Sequence, residues 1–259
     1  MRIPIYQVDA FTHEVFGGNP AAVCPLESWL DDRTMQAIAM ENQLSETAFF
    51  VPAESPLRIR WFTPKAEVDL CGHATLAAAS VYLETIAPDR EEVVFESQSG
   101  PLGVRRDQGL YALDLPSRPP VPCEPPPALI EALGAHALMW LKARDFMGVF
   151  RTEAEIRALQ PDFAVLAGFD KVIVTAPGTE SDFVSRFFAP SVGIDEDPVT
   201  GSAHCTLTPY WAKRLGRPRL SARQASARGG ELLCEDRGER VSVAGRAVRY
   251  LEGTIFVGD

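Results

Sequence analysis

The sequence predicts a two-domain α+β protein whose halves are related by a pseudo-twofold axis, each with a barrel-like sheet of strands wrapped around a central helix. One passage occurs twice in altered form: residues 60–80 read RWFTPKAEVDLCGHATLAAAS, and residues 186–210 read RFFAPSVGIDEDPVTGSAHCTLTPY. In both passages an aromatic pair and a proline lead, through a loop that contains acidic residues, to a glycine that opens a helix. The halves that carry the two passages are similar in size, which favours a duplicated half-domain over a short-period repeat array.

A proline-rich segment marks the midpoint of the chain. Residues 116–127 contain seven prolines. Proline fixes φ and lacks an N–H donor, so this segment is neither a central strand nor a helix interior, and we interpret it as a semi-rigid linker. The expected organisation is therefore an N-terminal half-domain at 1–115, the linker at 116–127 and a C-terminal half-domain at 128–259.

In the first half, alternating apolar residues predict seven strands. They lie near residues 3–10, 20–25, 47–52, 57–63, 92–97, 102–106 and 109–115. Asp31 or Asp32 is expected to cap a helix that runs to about Gln43. A second helix is expected at 72–85, and its alanine-rich composition predicts that it is buried beneath the strands.

The second half repeats this alternation with one long helix. Helices are predicted near 127–134, from Thr152 with Glu155 completing a capping box, and at 201–215, where Gly216 follows as a stop signal. Strands are predicted at 138–143, 146–150, 163–167, 171–176 and 182–189, followed by four more at 219–224, 229–235, 239–244 and 246–256.

Charge and composition exclude several partner classes. The formal net charge is −10 and the isoelectric point is near 5.0, with no basic run to attract nucleic acid or an anionic membrane. No apolar stretch approaches the roughly 18 residues of a membrane span. The N-terminus begins as a strand rather than as a signal peptide, so we expect a cytoplasmic protein.

The five cysteines are odd in number, lie far apart and form no CxxC pair, which argues against a disulfide framework or a structural zinc site. Cys24, Cys205 and Cys234 have apolar neighbours and are expected in the core. Cys71 differs, because it directly precedes a predicted helix start, where a thiol is expected to have a lowered pKa.

Two matched helix starts indicate a small-anion site. Gly72 and Gly201 open the corresponding helices of the two halves, where unpaired N–H groups and a partial positive charge attract carboxylates. A pseudo-twofold would bring them to face one another across the cleft between the domains. The expected ligand is a small carboxylate.

Polar residues gather around these two helix starts. His73 stands in the first helical turn, where the dipole is expected to lower its pKa, and Ser202 is its counterpart in the second half. Asp197 precedes the second helix by a few residues. Glu46 begins a strongly apolar strand, where burying a carboxylate costs free energy. We therefore expect Glu46 to have a functional role, for example as a general acid or base.

Several motifs together resemble the PhzF-like family of phenazine-biosynthesis isomerases. They are Val8-Asp9-Ala10-Phe11-Thr12, Gly17-Gly18-Asn19-Pro20-Ala21, Ser45-Glu46-Thr47-Ala48-Phe49, Phe62-Thr63-Pro64, Gly72-His73-Ala74-Thr75 and Asp197-Pro198-Val199-Thr200-Gly201-Ser202-Ala203. Their order and spacing are similar along the whole chain. The resemblance implies a diaminopimelate-epimerase-like fold, commonly as a homodimer, and an isomerase that works without a cofactor or a metal. The family's best understood reaction is the isomerisation of trans-2,3-dihydro-3-hydroxyanthranilate.

Carried over by motif, the resemblance also implies roles for single residues. Glu46 would shuttle the proton, with His73 and Asp197 completing the catalytic set. The substrate would be bound by Gly72, Gly201, Ser202, Asn19 and Ala74. Moving a proton between carbons needs one base that becomes the acid, together with donors for the developing charge, and these residues supply both.

Two other readings stay open from the residues. The second reading is a two-thiol epimerase of the same fold, in which Cys71 would be one base and a cysteine of the second half the other. The residue that corresponds to Cys71 in the second half is Thr200. Cys205 lies more than one helical turn further along the helix and cannot take that place. A binding module without catalysis is the third reading. It gives no reason to keep Glu46, His73 and Asp197 together.

Overall fold

A computed structural model describes residues 1–258. The chain forms two compact units: residues 1–114 with the C-terminal segment that starts at Ala244, and residues 115–243.

The first half of the chain forms eight strands and two α-helices. The strands are β1 (Arg2–Ala10), β2 (Asn19–Pro25), β3 (Glu46–Phe50), β4 (Ile59–Phe62), β5 (Glu67–Val68), β6 (Glu92–Ser97), β7 (Gly100–Asp107) and β8 (Leu110–Pro116). The helices are α1 (Asp32–Asn42) and α2 (Gly72–Val81), and α2 continues into a π-helical turn at Tyr82–Ile86.

The second half, described as far as residue 258, forms ten strands and four α-helices. The strands are β9 (Val121–Pro122), β10 (Met139–Lys142), β11 (Phe146–Val149), β12 (Val172–Pro177), β13 (Phe183–Ala189), β14 (Ile194–Glu196), β15 (Arg219–Gln224), β16 (Gly230–Asp236), β17 (Arg240–Gly245) and β18 (Ala247–Phe256). The helices are α3 (Pro127–Leu133), α4 (Glu153–Ala158), α5 (Phe163–Leu166) and α6 (Gly201–Leu215), with a 3-10 turn at Pro190–Val192.

The two units repeat one strand order. In the first unit the order is β18-β1-β2-β3-β4-β5, with β2 and β3 parallel and the other neighbours antiparallel. In the second unit the order is β9-β10-β11-β12-β13, with β11 and β12 parallel, and β14 pairs with β13 as β5 pairs with β4. Each parallel pair is joined by a helical crossover, so the repeated sequence passage is embedded in a repeated topology.

The outer strands of the two units come from different parts of the chain. β9 lies near the start of the second unit and pairs with β10 of the same unit. β18 ends the chain and pairs with β1 of the first unit over its whole length. β9 ends at Pro122 and lies at an edge of its sheet, which is where a strand that contains proline is tolerated.

Helix α2 is buried throughout. All ten of its residues, Gly72 to Val81, are buried, as the alanine-rich composition predicts. Helix α6 buries most of its length and ends at Gly216, whose φ of 68° is the left-handed conformation that glycine adopts readily at a helix end. Each unit therefore covers a largely apolar helix with strands, which confirms the predicted architecture.

One predicted strand is wrong. The apolar run at 163–167 forms helix α5, because the Asp162 side chain accepts hydrogen bonds from the backbone N–H groups of Ala164 and Val165 and so caps a helical turn. β5, β9 and β14 were not predicted, because they are only two or three residues long and show no alternation. Among the described residues, no helix combines the length and the apolar character that a membrane crossing requires.

Helix α1 offers a matched test of the first unit's core. Met35 is fully buried in that core, whereas Met40 on the same helix is 55% exposed. We expect Met35→Ala to lower the free energy of unfolding by about 2–5 kcal/mol, because it leaves a cavity, and Met40→Ala to change it by less than about 0.5 kcal/mol. Urea denaturation of both variants measures the difference, and equal effects would contradict this packing.

Candidate active site

A buried acid and a buried histidine face each other in the first unit. Glu46 Oε2 lies 3.0 Å from His73 Nε2, and the two residues are 8% and 5% exposed. The distance is that of an ion pair, and neither of these two atoms has a hydrogen-bond partner in a third residue. A proton carried by either group is thus held in a buried site with few competing contacts.

The sheet topology explains how these residues meet. β2 and β3 run parallel, so both begin at the same edge of the sheet, β2 with Asn19 and β3 with Glu46. Helix α2 packs against both strands and begins with Gly72, which places His73 in its first turn. Three motifs that are far apart in sequence therefore meet in one unit.

Asn19 controls the orientation of the His73 ring. Asn19 Nδ2 lies 3.1 Å from His73 Nδ1, and the Ser45 hydroxyl donates to Asn19 Oδ1 at 3.3 Å. In this arrangement Asn19 donates to Nδ1, and the proton of the neutral ring lies on Nε2, facing Glu46. The imidazolium adds a hydrogen on Nδ1, which Asn19 accepts only if its amide turns over.

Gly18 is required for the position of Asn19. Its φ is 60°, and a Cβ built on it would lie 2.1 Å from the carbonyl oxygen of Ala10. Only glycine permits both the left-handed conformation and this close approach. The Gly17-Gly18-Asn19 motif thus places the Asn19 side chain next to His73.

The charges around His73 shift its pKa in the direction opposite to the one expected from the helix dipole. Burial by itself lowers the pKa of His73, but the charges of Cys71 and Glu46 raise it more, so the pKa of His73 lies well above its usual value. The predicted lowering of the His73 pKa is therefore wrong.

Cys71 also departs from expectation. Its sulfur lies 3.5 Å from His73 Nδ1. Burial and then the charge of Glu46 raise the pKa of the Cys71 thiol, although His73 and the Ala74 backbone N–H act in the opposite direction. The expected lowering of the Cys71 pKa is thus wrong, because desolvation and a neighbouring carboxylate exceed what a helix start supplies. Cys24, Cys205 and Cys234 are buried core residues, as predicted.

The second unit holds a separate polar network before helix α6. Asp197 accepts a hydrogen bond of 2.5 Å from the Thr200 hydroxyl. Gln224 donates to the Asp197 carbonyl at 2.7 Å and to Thr200 Oγ1 at 3.1 Å, and it accepts from the Thr200 N–H at 2.9 Å. This buried glutamine fixes the loop that carries Asp197 to the helix start.

Ser202 lies next in the same region. Its hydroxyl accepts a 3.2 Å hydrogen bond from Arg144, which is also paired with the buried Asp145. Although Ser202 corresponds to His73 in the repeat, its surroundings are different. The two copies have kept the helix start and changed its side chains.

Neither α2 nor α6 has a side-chain cap. The capping positions Cys71 and Thr200 make no such hydrogen bond, whereas Asp31, Thr152 and Asp162 cap their own helices. Gly72, Gly201 and Ala74 are buried and offer a ligand only their backbone groups. Their predicted role in binding a carboxylate stays a prediction.

Sequence reasoning missed several residues that build these sites. Ser45 orients Asn19, Gln224 orients Asp197, and Arg144 contacts Ser202. Gln224 and Arg144 lie far along the chain from the residues that they contact, so no local motif marks them. Ser45 directly precedes Glu46, and its place in that motif was the one available signal.

Comparison with known proteins identifies the family. Residues 8–253 match the family model PhzC-PhzF, described as phenazine biosynthesis-like protein. An uncharacterized isomerase of Pseudomonas aeruginosa is 53% identical over 259 residues, covering 99% of this chain and 100% of the relative. A crystal structure of a phenazine biosynthesis protein of the PhzF family from Enterococcus faecalis shares 47% identity and a TM-score of 0.96, covering 99% of this chain and 100% of that one.

A more distant comparison bears on the fold alone. A hydroxyproline epimerase from Agrobacterium vitis superposes with a TM-score of 0.63 at 10% identity, covering 98% of this chain and 92% of the epimerase. The predicted epimerase-like fold class is confirmed. The chain belongs to the PhzC-PhzF family of phenazine biosynthesis-like proteins, and it is an isomerase by class.

His204 in helix α6 gives a pH-dependent test of the second unit. Its Nδ1 lies 2.9 Å from the Thr200 carbonyl, to which the neutral ring donates, and burial lowers its pKa to about 4. Because the unfolded histidine titrates near 6.5, the stability from the neutral buried ring is complete above that pH. It is lost as the pH falls to about 4, by an amount on the order of 3 kcal/mol.

We expect His204→Asn, which keeps a donor near Nδ1 but does not titrate in this range, to lose part of the pH dependence. The measurement is the urea midpoint of both proteins between neutral pH and about pH 4. The variant should show the shallower decline, and parallel curves would contradict the buried neutral histidine.

Proposed function

We propose that this isomerase moves a proton between carbon atoms of a small carboxylate, without a cofactor, and that Glu46 is the proton shuttle. The observation that carries the proposal is the buried Glu46–His73 pair, whose facing atoms lack other hydrogen bonds. A base in such a site is poorly solvated and is free to take a proton from a carbon acid.

The proposed reaction needs one carboxyl group in two protonation states. Glu46 as carboxylate removes a proton from a C–H that is conjugated to the substrate's unsaturation, and the C–H electron pair moves into the conjugated system. Glu46 as carboxylic acid then returns the proton to another carbon of that system. Atoms and charge balance without a further reactant, because the proton that leaves one carbon arrives at the other.

His73 has a supporting role in this scheme. Its Nε2 faces Glu46 at 3.0 Å, and the raised pKa of His73 favours the imidazolium while Glu46 is charged. The imidazolium stabilises the carboxylate form of Glu46 between turnovers. Asn19 holds the neutral ring in this orientation through Nδ1, and it keeps the contact with the imidazolium when its amide turns over to accept.

The family resemblance also suggests how the substrate is bound. The unpaired N–H groups at the start of an uncapped helix suit a carboxylate, and both α2 and α6 begin without a side-chain cap. Asp197, Gly201 and Ser202 are expected to contact the substrate by resemblance alone, and this stays part of the proposal. Dihydrohydroxyanthranilate belongs to the class of unsaturated carboxylates that the scheme accepts.

The thiol mechanism has less support. The pKa of Cys71 is raised, which leaves the sulfur protonated near neutral pH, and a protonated thiol is a poor base. The corresponding position in the second unit holds Thr200. One protonated thiol without a partner does not supply the two bases of a thiol epimerase.

Glu46→Gln is the direct test. We expect this near-isosteric change to keep the fold and to lower the rate of carbon–deuterium formation in heavy water by at least about hundredfold, because the shuttle is removed. NMR of a panel of small unsaturated and amino carboxylates, including dihydrohydroxyanthranilate, measures the exchange. Glu41→Gln, an exposed change on helix α1, is the matched control.

Two outcomes would contradict the assignment. Full exchange in Glu46→Gln would exclude Glu46 as the shuttle. Exchange that survives in Glu46→Gln but disappears in Cys71→Ala would move the chemistry to the thiol.

We further propose that the chain's partner is a second copy. Strand β18 lies at the edge of its sheet and exposes Tyr250, Leu251 and Phe256 by 48%, 42% and 73%. A long edge strand with exposed apolar side chains is a template for pairing with another chain. This supports the homodimer that the family resemblance implies.

Light scattering after size exclusion tests the dimer. We expect a dimer for the native protein and a shift toward monomer in Leu251→Lys, because a charge on the edge opposes strand pairing. Leu233→Lys, at a site that is 49% exposed in the second unit, is the control and should leave the mass unchanged. A monomeric native protein at every concentration would refute the proposal.

A further inference from the structure

The proposed shuttle shares its site with a set of metal-binding donors. Within residues 1–258, Glu46, Cys71 and His73 are the group of acid, cysteine and histidine side chains close enough to hold one ion, with donor atoms that all lie within 4.8 Å of one another. A carboxylate, a thiolate and an imidazole are the ligand types that zinc accepts, and three protein ligands leave one position open.

The donor atoms lie close enough for side-chain shifts to bring them to the spacing of a tetrahedral site. Bond lengths of about 2.0–2.3 Å imply donor atoms roughly 3.5 Å apart around zinc. Cys71 Sγ is 3.5 Å from His73 Nδ1, and Glu46 Oε2 is 3.0 Å from His73 Nε2. The sulfur and the carboxylate lie beside different ring nitrogens, so a turn of the ring and small side-chain shifts are needed for one nitrogen to join them.

The hydrogen-bonding state of the donors points to a ligand. Glu46 Oε2 and His73 Nε2 face each other at 3.0 Å and make no hydrogen bond to a third residue, and their residues are more than nine-tenths buried. Buried polar atoms in folded proteins normally have partners. A cation would satisfy both atoms at once, whereas Cys24, the other buried cysteine of this unit, belongs to no such group.

We propose that Glu46, Cys71 and His73 bind a thiophilic divalent cation of the zinc class, and that the bound ion blocks proton exchange. Binding replaces the thiol proton: the S–H bond breaks, a sulfur–metal bond forms, and the proton passes to the buffer. The blocking step rests on the proposed function, because it occupies the carboxylate that shuttles the proton. The binding step does not depend on it.

The donor set also predicts which ions bind. Thiolate and imidazole ligands favour zinc, cobalt and other late first-row or softer ions over magnesium and calcium, which prefer sites made of oxygen atoms alone. The site is therefore expected to remain free of metal in a magnesium buffer and to fill when zinc is added. Occupancy would make the isomerase sensitive to free zinc.

Metal binding is measured directly, without an activity assay. The purified full chain is titrated with cobalt(II), and a thiolate-to-cobalt charge-transfer band in the near ultraviolet reports sulfur coordination. Displacement of cobalt by zinc then gives the zinc affinity. We expect one ion per chain. We expect the affinity of Cys71→Ala to be at least about tenfold weaker, because even the loss of a residue that only hydrogen-bonds to a ligand lowers metal affinity by about that factor. Cys24→Ala should bind as the native protein does.

The absence of the charge-transfer band would overturn the proposal, as would equal affinity in Cys71→Ala and the native protein. Glu46→Gln, which is nearly isosteric, provides a second variant that should weaken binding if Cys71→Ala fails to fold.

The heavy-water exchange assay separates this proposal from the proposed function. Zinc that binds through Cys71 and stops exchange supports both. Zinc that binds through Cys71 but leaves exchange intact keeps the metal site and places the shuttle elsewhere. Exchange that depends on Glu46, in a protein without a cobalt–thiolate band, keeps the shuttle and rejects the metal site.

Discussion

A helix that is apolar on every side has to be covered on every side, and α2 imposes this constraint on the first unit. All of its residues are buried, so the first turn of the helix is also withdrawn from water. Polar groups near that turn find partners in the protein, as His73 does in Asn19 and Glu46. The strands that cover the helix therefore also supply the chemistry at its start.

The second unit obeys the same constraint with different side chains. Its strand order repeats that of the first unit, and α6 again begins without a side-chain cap. The residues at the helix start have nevertheless diverged, since Thr200 and Ser202 replace Cys71 and His73. Asp197 is fixed by hydrogen bonds to Thr200 and Gln224 rather than facing an ion-pair partner. Of the two helix starts, that of the first unit carries the buried acid–histidine pair.

Relative magnitudes decide the protonation states at the α2 start. A helix dipole contributes up to about 2 kcal/mol in favourable, partly buried sites. Full burial can shift a pKa by several units. Because one pKa unit corresponds to about 1.4 kcal/mol, burial is the larger effect. Desolvation and the Glu46 charge therefore raise the pKa of Cys71 despite its place at a helix start. The charges of Cys71 and Glu46 together raise the pKa of His73 against the effect of burial.

Much of the fold followed from local patterns. The strand at 92–97 and the helix at 201–215 were predicted with the bounds that the structure has, because alternation, apolar periodicity and the stop at Gly216 are properties of neighbouring residues. The strand predicted at 163–167 failed because an apolar run of that length suits either element, and the Asp162 cap selected the helix. Strands of two or three residues carry no period and were missed.

The sequence by itself determined the duplication, the two buried helices, and Glu46, His73 and Asp197 as candidate site residues, because these depend on residue type and spacing. Only the tertiary structure decided that β18 returns to β1, that Asn19 holds the His73 ring, and that Gln224 holds the loop of Asp197. These contacts join segments that are distant in the chain. The pKa directions of Cys71 and His73 were decided there too, since burial and the distance to Glu46 exist only after the strands and the helix have packed.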